Sequence, residues 1–518
     1  MTFEPPDDFN IADLLGARLR DGDADRVALR LDEGEVTYAT VAHAAARYAA
    51  ALTEDLGVRP EERVLLVLPD GADFVAALFG TLAVGAVVVM LNPGLTSDAL
   101  AGILGYARAR AAVVHRDHLD QVRAAARVAD VDLAYLPVGG NGGALRPAAS
   151  SPAGFAAVRT HPDDPAIWLF SGGTTGLPKA VVQTHRSFGN TTACYGHGVI
   201  GYTPDDITIA VPKLYFGYAT GSNLLFPFSV GASAALFAER PTPEVLFDRI
   251  ARFRPTILVT VPSMISAMLE HPAAGDADLS SLRLATSAGE ALPPPLYDRW
   301  VTRFGVELLD GLGTAEQWHV FVSNRPGDVR PGTLGRAVPG FRVEARDADG
   351  RALPAGEVGA LWVSGDSRAI GYWRNMARTK EVFRGEWVVT GDLVRIDADG
   401  YVTYAGRGDD ALKVKGKWLL PAEVEACLIA HPDVAEAVVV GTPDADGLVK
   451  PVAFVTATAP REHLAAELRE HVLANLEPYK HPRVIEVIES LPRTHLGKAD
   501  RGALKRRAAD RLAAEAGT

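Results

Sequence analysis

The chain has 518 residues, enough for roughly three domains at about 150 residues each. Hydrophobic residues make up 48% and charged residues 22%, which excludes intrinsic disorder and allows sizeable cores. A formal net charge of −12 argues against a general nucleic-acid binder, and two cysteines, Cys194 and Cys427, exclude a disulfide scaffold and a Cys-rich zinc site and suit a reducing, cytoplasmic compartment.

Met1 to Asp8 has neither the basic start nor the apolar stretch of a secretory leader, so none is expected. Phe74 to Leu91 runs 18 residues without a charge, long enough to be weighed as a membrane span. Gly80, Thr81 and Gly85 interrupt it, and Val87-Val88-Val89 is β-branched. It reads instead as a buried helix over 72–83, a turn at Gly85 and a buried strand over 86–91, with no membrane contact. Further strands are predicted over 64–68, 111–114, 166–170, 207–211, 234–237, 256–260, 283–287 and 306–309. Helices are predicted over 37–52, 243–253, 262–269 and 293–304. This alternation predicts an α/β body of parallel sheets covered by helices.

From Gly332 to about Tyr404, short strands, many glycines and the turn pairs Asp349-Gly350 and Asp399-Gly400 predict a small β-rich unit. After Asp409 the pattern turns α+β: helix 421–430, strands 434–441 and 451–456, helix 462–476. The Ala/Arg-rich tail, 503–516, reads as a solvated amphipathic helix and little else. No internal repeat is found.

The sharpest local feature is Ser171-Gly172-Gly173-Thr174-Thr175-Gly176-Leu177-Pro178-Lys179, directly after the apolar segment 166–170. Its glycines permit close backbone approach, its hydroxyls and amides can cradle phosphate oxygens, and Lys179 adds charge. It is not a Walker A loop, which needs four residues between its glycines and then Gly-Lys-Ser/Thr.

With this loop the sequence resembles the adenylate-forming superfamily of acyl- and aryl-CoA synthetases, carrier-protein adenylation domains and luciferases. Five further segments carry the resemblance, in order and at similar spacing: Ser287-Ala288-Gly289-Glu290; Gly311-Leu312-Gly313-Thr314-Ala315-Glu316; Thr390-Gly391-Asp392; Gly406-Arg407-Gly408-Asp409-Asp410-Ala411-Leu412-Lys413; and Pro492-Arg493-Thr494-His495-Leu496-Gly497-Lys498. The resemblance implies a large N-terminal domain, 1–408, of two helix-covered sheets and a small β-barrel-like subdomain, 332–408. A mobile α+β cap follows over 409–518, hinged at Asp409.

It also implies a two-step reaction with ATP, Mg²⁺ and CoA, in which a carboxylate becomes an acyl-AMP and then a thioester. Catalysis would fall to Lys498, Glu316 and Thr314, with Glu316 as the metal ligand. ATP and AMP would be held by Ser171 to Gly176, Lys179, Gly289, Glu290, Asp310 to Gly313, Asp392 on the ribose, and Arg407. The thiol tunnel would be bordered by Lys415, Gly416, Lys417 and Trp418.

Two departures stand out. Ala315 replaces the threonine usual before the glutamate, which predicts slower adenylation through loss of one hydrogen bond worth about 1 kcal/mol. Lys415 and Lys417 stand where small residues are common. They either attract CoA phosphates, alter the thiol donor accepted, or form a solvated basic turn.

Lys213-Leu214-Tyr215-Phe216-Gly217-Tyr218 has three aromatics in six residues, against 7% aromatics overall, favouring a flat apolar ligand. Gln317-Trp318-His319-Val320-Phe321 adds two rings and an imidazole. These windows resemble the benzoate-CoA ligase branch, which implies an acyl pocket of Tyr215, Phe216, Tyr218, Ala288, Gly313, Trp318 and His319 and an aromatic carboxylate as substrate. His319 is a candidate partner for a ring hydroxyl or amino group. Two other readings stay open: transfer of the adenylate to a carrier-protein pantetheine or another nucleophile, and a weakly catalytic nucleotide- or acyl-binding module. A homodimer is among the assemblies allowed.

Overall fold

The structure is a computed structural model that describes residues 3–139, 155–171, 179–414, 417–443, 448–459, 461–493 and 499–516. Apolar runs dictate its first layer. Strands Arg63–Val67, Val87–Met90, Ala111–His115, Ala134–Val138 and Pro165–Ser171 are mutually parallel and form most of a seven-stranded sheet. Antiparallel Lys179–Thr184 and Gly371–Tyr372 complete one edge.

The uncharged run 74–91 folds as predicted, into helix Ala72–Ala83 and strand Val87–Met90. Gly85 makes the turn between them at φ +73°, a region that L side chains rarely adopt. Both elements are buried because a parallel sheet is covered on both faces. Each fully buried Val, Leu or Phe contributes about 1.5–3 kcal/mol, which is why charge is absent here.

A second, nine-stranded sheet has the order Arg336–Ala337, Val320–Ser323, Leu308–Gly313, Leu284–Ala288, Ile257–Thr260, Ile207–Ala210, Ser233–Ala235, Val27–Leu31, Gly34–Thr37. Its central strands are parallel. Helix Pro243–Phe253 starts where Thr242 Oγ1 accepts from the Val245 amide at 3.3 Å, and it buries Leu246, Ile250 and Phe253 along one stripe. Strand Leu308–Gly313 runs further than predicted and takes in the Gly311-Leu312-Gly313 motif. Pairing with Leu284–Ala288 on one side and Val320–Ser323 on the other holds that glycine-rich stretch extended.

The predicted β-rich unit is a five-stranded antiparallel sheet of Arg342–Arg346, Val358–Ser364, Phe383–Arg384, Trp387–Ile396 and Val402–Arg407. Beyond it come the hairpin Leu412–Val414/Lys417–Leu419 and a three-stranded sheet of Val434–Pro443, Val449–Ala457 and Val484–Val487, packed with helices Pro421–Ile429 and Leu464–Asn475.

The tail corrects its sequence reading. Helix Arg501–Ala516 is not a solvated helix: Leu504 and Ala508 are 0% exposed and pack with Leu512 against Val438, Val440, Val452 and Phe454 of the three-stranded sheet. Three apolar residues at four-residue spacing suffice to dock it, although alanine and arginine dominate its composition. Arg501 is engaged too, donating to Glu425 Oε1 at 2.7 Å and to the Val439 carbonyl at 2.8 Å. No described helix is long and apolar enough to cross a membrane.

Candidate active site

Ser171 ends one strand and Lys179 begins its antiparallel neighbour, and the two residues pair across the ladder. The glycine-rich segment therefore bridges a hairpin, unlike the strand-to-helix turn of a Walker loop. Gly172, Gly173, Thr174, Thr175 and Gly176 themselves lie outside the described residues, as do Lys415, Gly416 and Lys498. Lys417 and Trp418 are described only as backbone of the short hairpin.

Parallel strands Leu284–Ala288 and Leu308–Gly313 end side by side, Ala288 opposite Gly311. Ligands of open α/β sheets bind beyond such carboxyl ends. After Ala288 the chain turns at Gly289, and Glu290 reaches back to the start of helix Pro262–Glu270, accepting from the Ser263 amide at 3.0 Å. At Gly313 a Cβ would lie 2.5 Å from the His319 carbonyl oxygen, so only glycine fits. Beyond it, Thr314 leads into a single turn, Ala315–Gln317, and Trp318 follows at φ +61°. Such a conformation costs a non-glycine residue about 1–3 kcal/mol and persists only where its surroundings impose it.

Three hydrogen bonds from two distant parts of the chain impose it. Gln183 Nε2 donates to the Ala315 carbonyl at 2.6 Å, the Ala369 amide donates to the Glu316 carbonyl at 2.9 Å, and Tyr372 Oη donates to Glu316 Oε1 at 2.6 Å. Burial and the Glu316 charge push the Tyr372 phenol well above its ordinary pKa, so it remains a donor. Strand Trp387–Ile396 packs on the same turn.

On the neighbouring sheet, Asp392 and Arg407 are cross-strand partners. Arg407 donates to Asp392 Oδ1 at 2.8 Å, while Oδ2 is buried without a partner. Between Asp310 and His319 further buried polar atoms lack partners among the described residues: Asp310 Oδ1, Thr314 Oγ1, both amide atoms of Gln317, Trp318 Nε1 and His319 Nδ1. An orphaned buried polar group costs about 1–3 kcal/mol unless a ligand, ion or water completes it. Burial drives the Asp310 carboxyl well above the usual carboxylate range. The Thr314 hydroxyl, one residue before Ala315, is buried without a partner among the described residues.

The aromatic windows meet behind this turn. Tyr218 Oη bonds Thr286 Oγ1 at 2.7 Å, on the strand that ends at Ala288. The His319 ring lies 5.2 Å from Tyr218, 5.3 Å from Tyr195 and 4.8 Å from Phe226. His319 Nε2 lies 3.0 Å from the Tyr218 carbonyl and 3.1 Å from Ser222 Oγ. A carbonyl only accepts, so Nε2 carries the proton and Nδ1 is left as an acceptor. Burial holds the imidazole pKa down to about 3, so the ring is neutral at physiological pH. Trp318 is only 2% exposed, and its ring edges the Phe188 ring at 4.1 Å and faces Gly217. The Tyr215 and Phe216 rings lie 4.6 Å apart, tilted 55° to one another.

Asp409 sits in the turn Gly408–Asp410 immediately after Arg407, and its neighbour Asp410 lies 3.5 Å from Arg501 and 3.6 Å from Lys505. Of the residues singled out in the sequence, the structure sets Asp392 beside Arg407, Tyr218 beside His319, and Thr314 and Glu316 on one turn. Sequence reading missed Gln183, Gln317 and Tyr372. Tyr372 lies 56 residues from Glu316, and its Gly-Tyr context resembles any buried strand end.

Comparisons with known proteins fit this geometry. The AMP-binding enzyme family matches residues 18–373, and the AMP-binding enzyme C-terminal domain matches residues 423–498. The chain is 41% identical over 509 residues to a benzoate–CoA ligase of Thauera aromatica, covering 96% of each chain. The anthranilate CoA ligase AuaEII, solved in complex with anthranoyl-AMP, superposes with a TM-score of 0.92 at 37% identity, covering 98% of this chain and 99% of that one. A benzoate CoA ligase from Burkholderia xenovorans LB400 superposes with a TM-score of 0.85 at 39% identity, covering 96% of this chain and 100% of that one. The chain belongs to the AMP-binding enzyme family.

Proposed function

We propose that the protein is an AMP-forming ligase that converts a benzoate-type aromatic acid, ATP and CoA into an aryl-CoA thioester, AMP and pyrophosphate. One observation carries this reading. The stretch Asp310 to His319 presents an acidic group, Glu316, beside the hairpin of the glycine-rich loop, and turns an uncharged, aromatic-packed wall, His319, toward Tyr218. The 41% identity to the Thauera aromatica ligase along nearly the whole of both chains supports the same substrate class.

In the first step a carboxylate oxygen of the acid attacks the α-phosphorus of ATP, and the bond to the bridging oxygen of pyrophosphate breaks. Two anions must meet, so cationic and donor groups have to be in place beforehand. Lys498 supplies charge at the reacting oxygens, with Lys179 at the base of the phosphate loop. Asp392 accepts the ribose hydroxyls on its unpartnered Oδ2, held by Arg407 on Oδ1. The donor set fits Mg²⁺: Glu316 is a hard oxygen ligand whose Oε1 is fixed by Tyr372, while Oε2 has no hydrogen-bond partner among the described residues. Bound there, the ion would neutralise phosphate charge. The acid's ring lies against Tyr218, Phe216 and Ala288, with the neutral His319 adding no charge to an apolar ring's surroundings.

In the second step the CoA sulfur attacks the acyl carbon, AMP leaves with the carboxyl oxygen, and the thiol proton passes to solvent. The residues after Asp409 then exchange places at the cleft, which lets one site serve two reactions.

The test is an ATP–pyrophosphate exchange panel of benzoate, hydroxybenzoates, aminobenzoates, cinnamates and medium-chain fatty acids, with CoA thioesters quantified in parallel. The expected result is fastest exchange with benzoate-type acids and CoA-dependent aryl thioester. Best turnover with fatty acids rejects the substrate class, and exchange without thioester rejects CoA as acceptor.

A further inference from the structure

Asp70 and Lys213 are buried, 8% exposed each; Asp70 belongs to no motif discussed so far, and Lys213 opens the first aromatic window. Asp70 follows strand Arg63–Val67 of the seven-stranded sheet. Lys213 follows strand Ile207–Ala210 of the nine-stranded sheet. Asp70 Oδ1 accepts from the Leu214 amide at 2.9 Å, bridging the two sheets at the carboxyl ends of parallel strands. The preceding residue is anchored separately: Lys213 Nζ donates to the Phe237 carbonyl at 2.6 Å and lies 3.6 Å from the centre of that residue's ring. Phe237 follows a third parallel strand, Ser233–Ala235.

Between these anchors the chain makes a tight turn, with the Phe216 amide donating to the Lys213 carbonyl at 2.9 Å. Thr220 Oγ1 closes it from the other end, donating to the Leu214 carbonyl at 2.7 Å. Tyr215 and Phe216 project from this turn. Burial pushes the Asp70 carboxyl up to about 6 and the Lys213 ammonium down to about 8, each opposed by the other's charge. Desolvating two charges to hold one turn is costly, and an ordinary surface loop needs neither.

We propose that Asp70 is a positioning residue for the acid pocket, which with Lys213 locks the turn 213–216 so that Tyr215 and Phe216 form a rigid wall against the substrate ring. The inference rests on the reading of those aromatics as the acid's wall. Asp70 touches no substrate. It acts through the Leu214 backbone, so the nucleotide side of the cleft is independent of it.

The experiment measures kcat, KM for the acid and KM for ATP on the full-length enzyme, with melting temperature recorded for each variant. Asp70→Ala removes the acceptor, and the acid KM is expected to rise by about tenfold or more, since small displacements of a positioning group are expensive. The ATP KM is expected to stay within about twofold. Asp70→Asn keeps an acceptor oxygen for the Leu214 amide and should restore most of the acid affinity. Should Asp70→Ala fail to fold, Lys213→Met decides: it retains the stem over the Phe237 ring, loses the bond to its carbonyl, and should show the same acid-selective rise. An unchanged acid KM overturns the proposal. So does a parallel rise of both KM values, or a failure of Asp70→Asn to recover. The aromatic reading fails separately, if the wild type turns over no aromatic acid. The same KM ratio is then read on whichever acid it does adenylate, because the lock concerns the wall and not the ring.

Discussion

Tyr372 Oη donates to Glu316 Oε1 at 2.6 Å, joining a strand at the edge of the seven-stranded sheet to the turn that leaves the nine-stranded one. A hydrogen bond to a charged acceptor contributes about 1.5–3 kcal/mol, more than a neutral one. The bond selects one rotamer of Glu316 and leaves its second oxygen available. Tyr372→Phe should therefore raise the Mg²⁺ concentration needed for half-maximal adenylation and lower kcat/KM by about 10–100-fold. A Mg²⁺ titration of pyrophosphate exchange, paired with direct Mn²⁺ binding by electron spin resonance, checks it. Wild-type metal dependence in both measurements would assign Tyr372 to packing alone.

Asp392 offers one oxygen to Arg407 and keeps the other unpartnered and buried. Asp392→Ala should remove the acceptor for both ribose hydroxyls and leave Arg407 without its counter-charge. The expected result is an ATP KM raised by about 10²-fold with the acid KM little changed. Exchange kinetics with ATP and with 2′-deoxy-ATP separate the cases: the variant should lose most of the discrimination the wild type shows.

Lys498→Ala should lower adenylation by at least about 10²-fold, the scale for losing one transition-state charge. It should spare thioester formation from supplied aryl-AMP, because the second step has no phosphoryl transfer. Wild-type exchange rates would remove this lysine from the first step.

Stability should fall with pH on the acid side. His185 and His319 are buried, and burial holds both imidazoles down to about 3 against an ordinary 6.5. Between those values the unfolded chain binds a proton at each site and the folded chain does not, so unfolding takes up protons. Stability is then fully present above about pH 6.5 and declines as pH falls toward 3, by up to about 1.4 kcal/mol per pH unit for each ring. Urea midpoints from pH 4 to 7 should rise with pH, and His185→Gln should flatten the slope. An unchanged slope would mean that His185 is protonated in the fold.

Leu504→Ala tests the docking of the tail helix. A side chain with 0% exposure packed against Val438 and Phe454 should cost about 2–5 kcal/mol on truncation. A solvated helix would lose less than about 0.5 kcal/mol. Calorimetry of the full chain distinguishes the two.

Sequence periodicity located the layers because burial leaves a plain record. The run 74–91 has no charge, and helix Ala72–Ala83 and strand Val87–Met90 both lie inside the body. Helix Pro243–Phe253 was predicted with the bounds it has, and the structure shows why: Thr242 caps it and Leu246, Ile250 and Phe253 bury one stripe. The tail was misread because composition weighs every residue alike, whereas docking needs only the three on one face.

What this sequence determined by itself is the α/β class, the elements with a plain hydrophobic period, and the residue types offered at Glu316, Asp392 and the aromatic windows, since hydrophobic period and short-range motifs are local properties of the chain. What the tertiary structure alone decided is who stands beside them. Tyr372 reaches Glu316 across 56 residues, Asp70 reaches Leu214 across 144, and Gln183 reaches Ala315 across 132. Those partners meet because the antiparallel edge strands that carry Gln183 and Tyr372, and the parallel strand ends beside Asp70 and Leu214, bring separate sheets together, and no local pattern encodes which buried donor will face which buried acceptor.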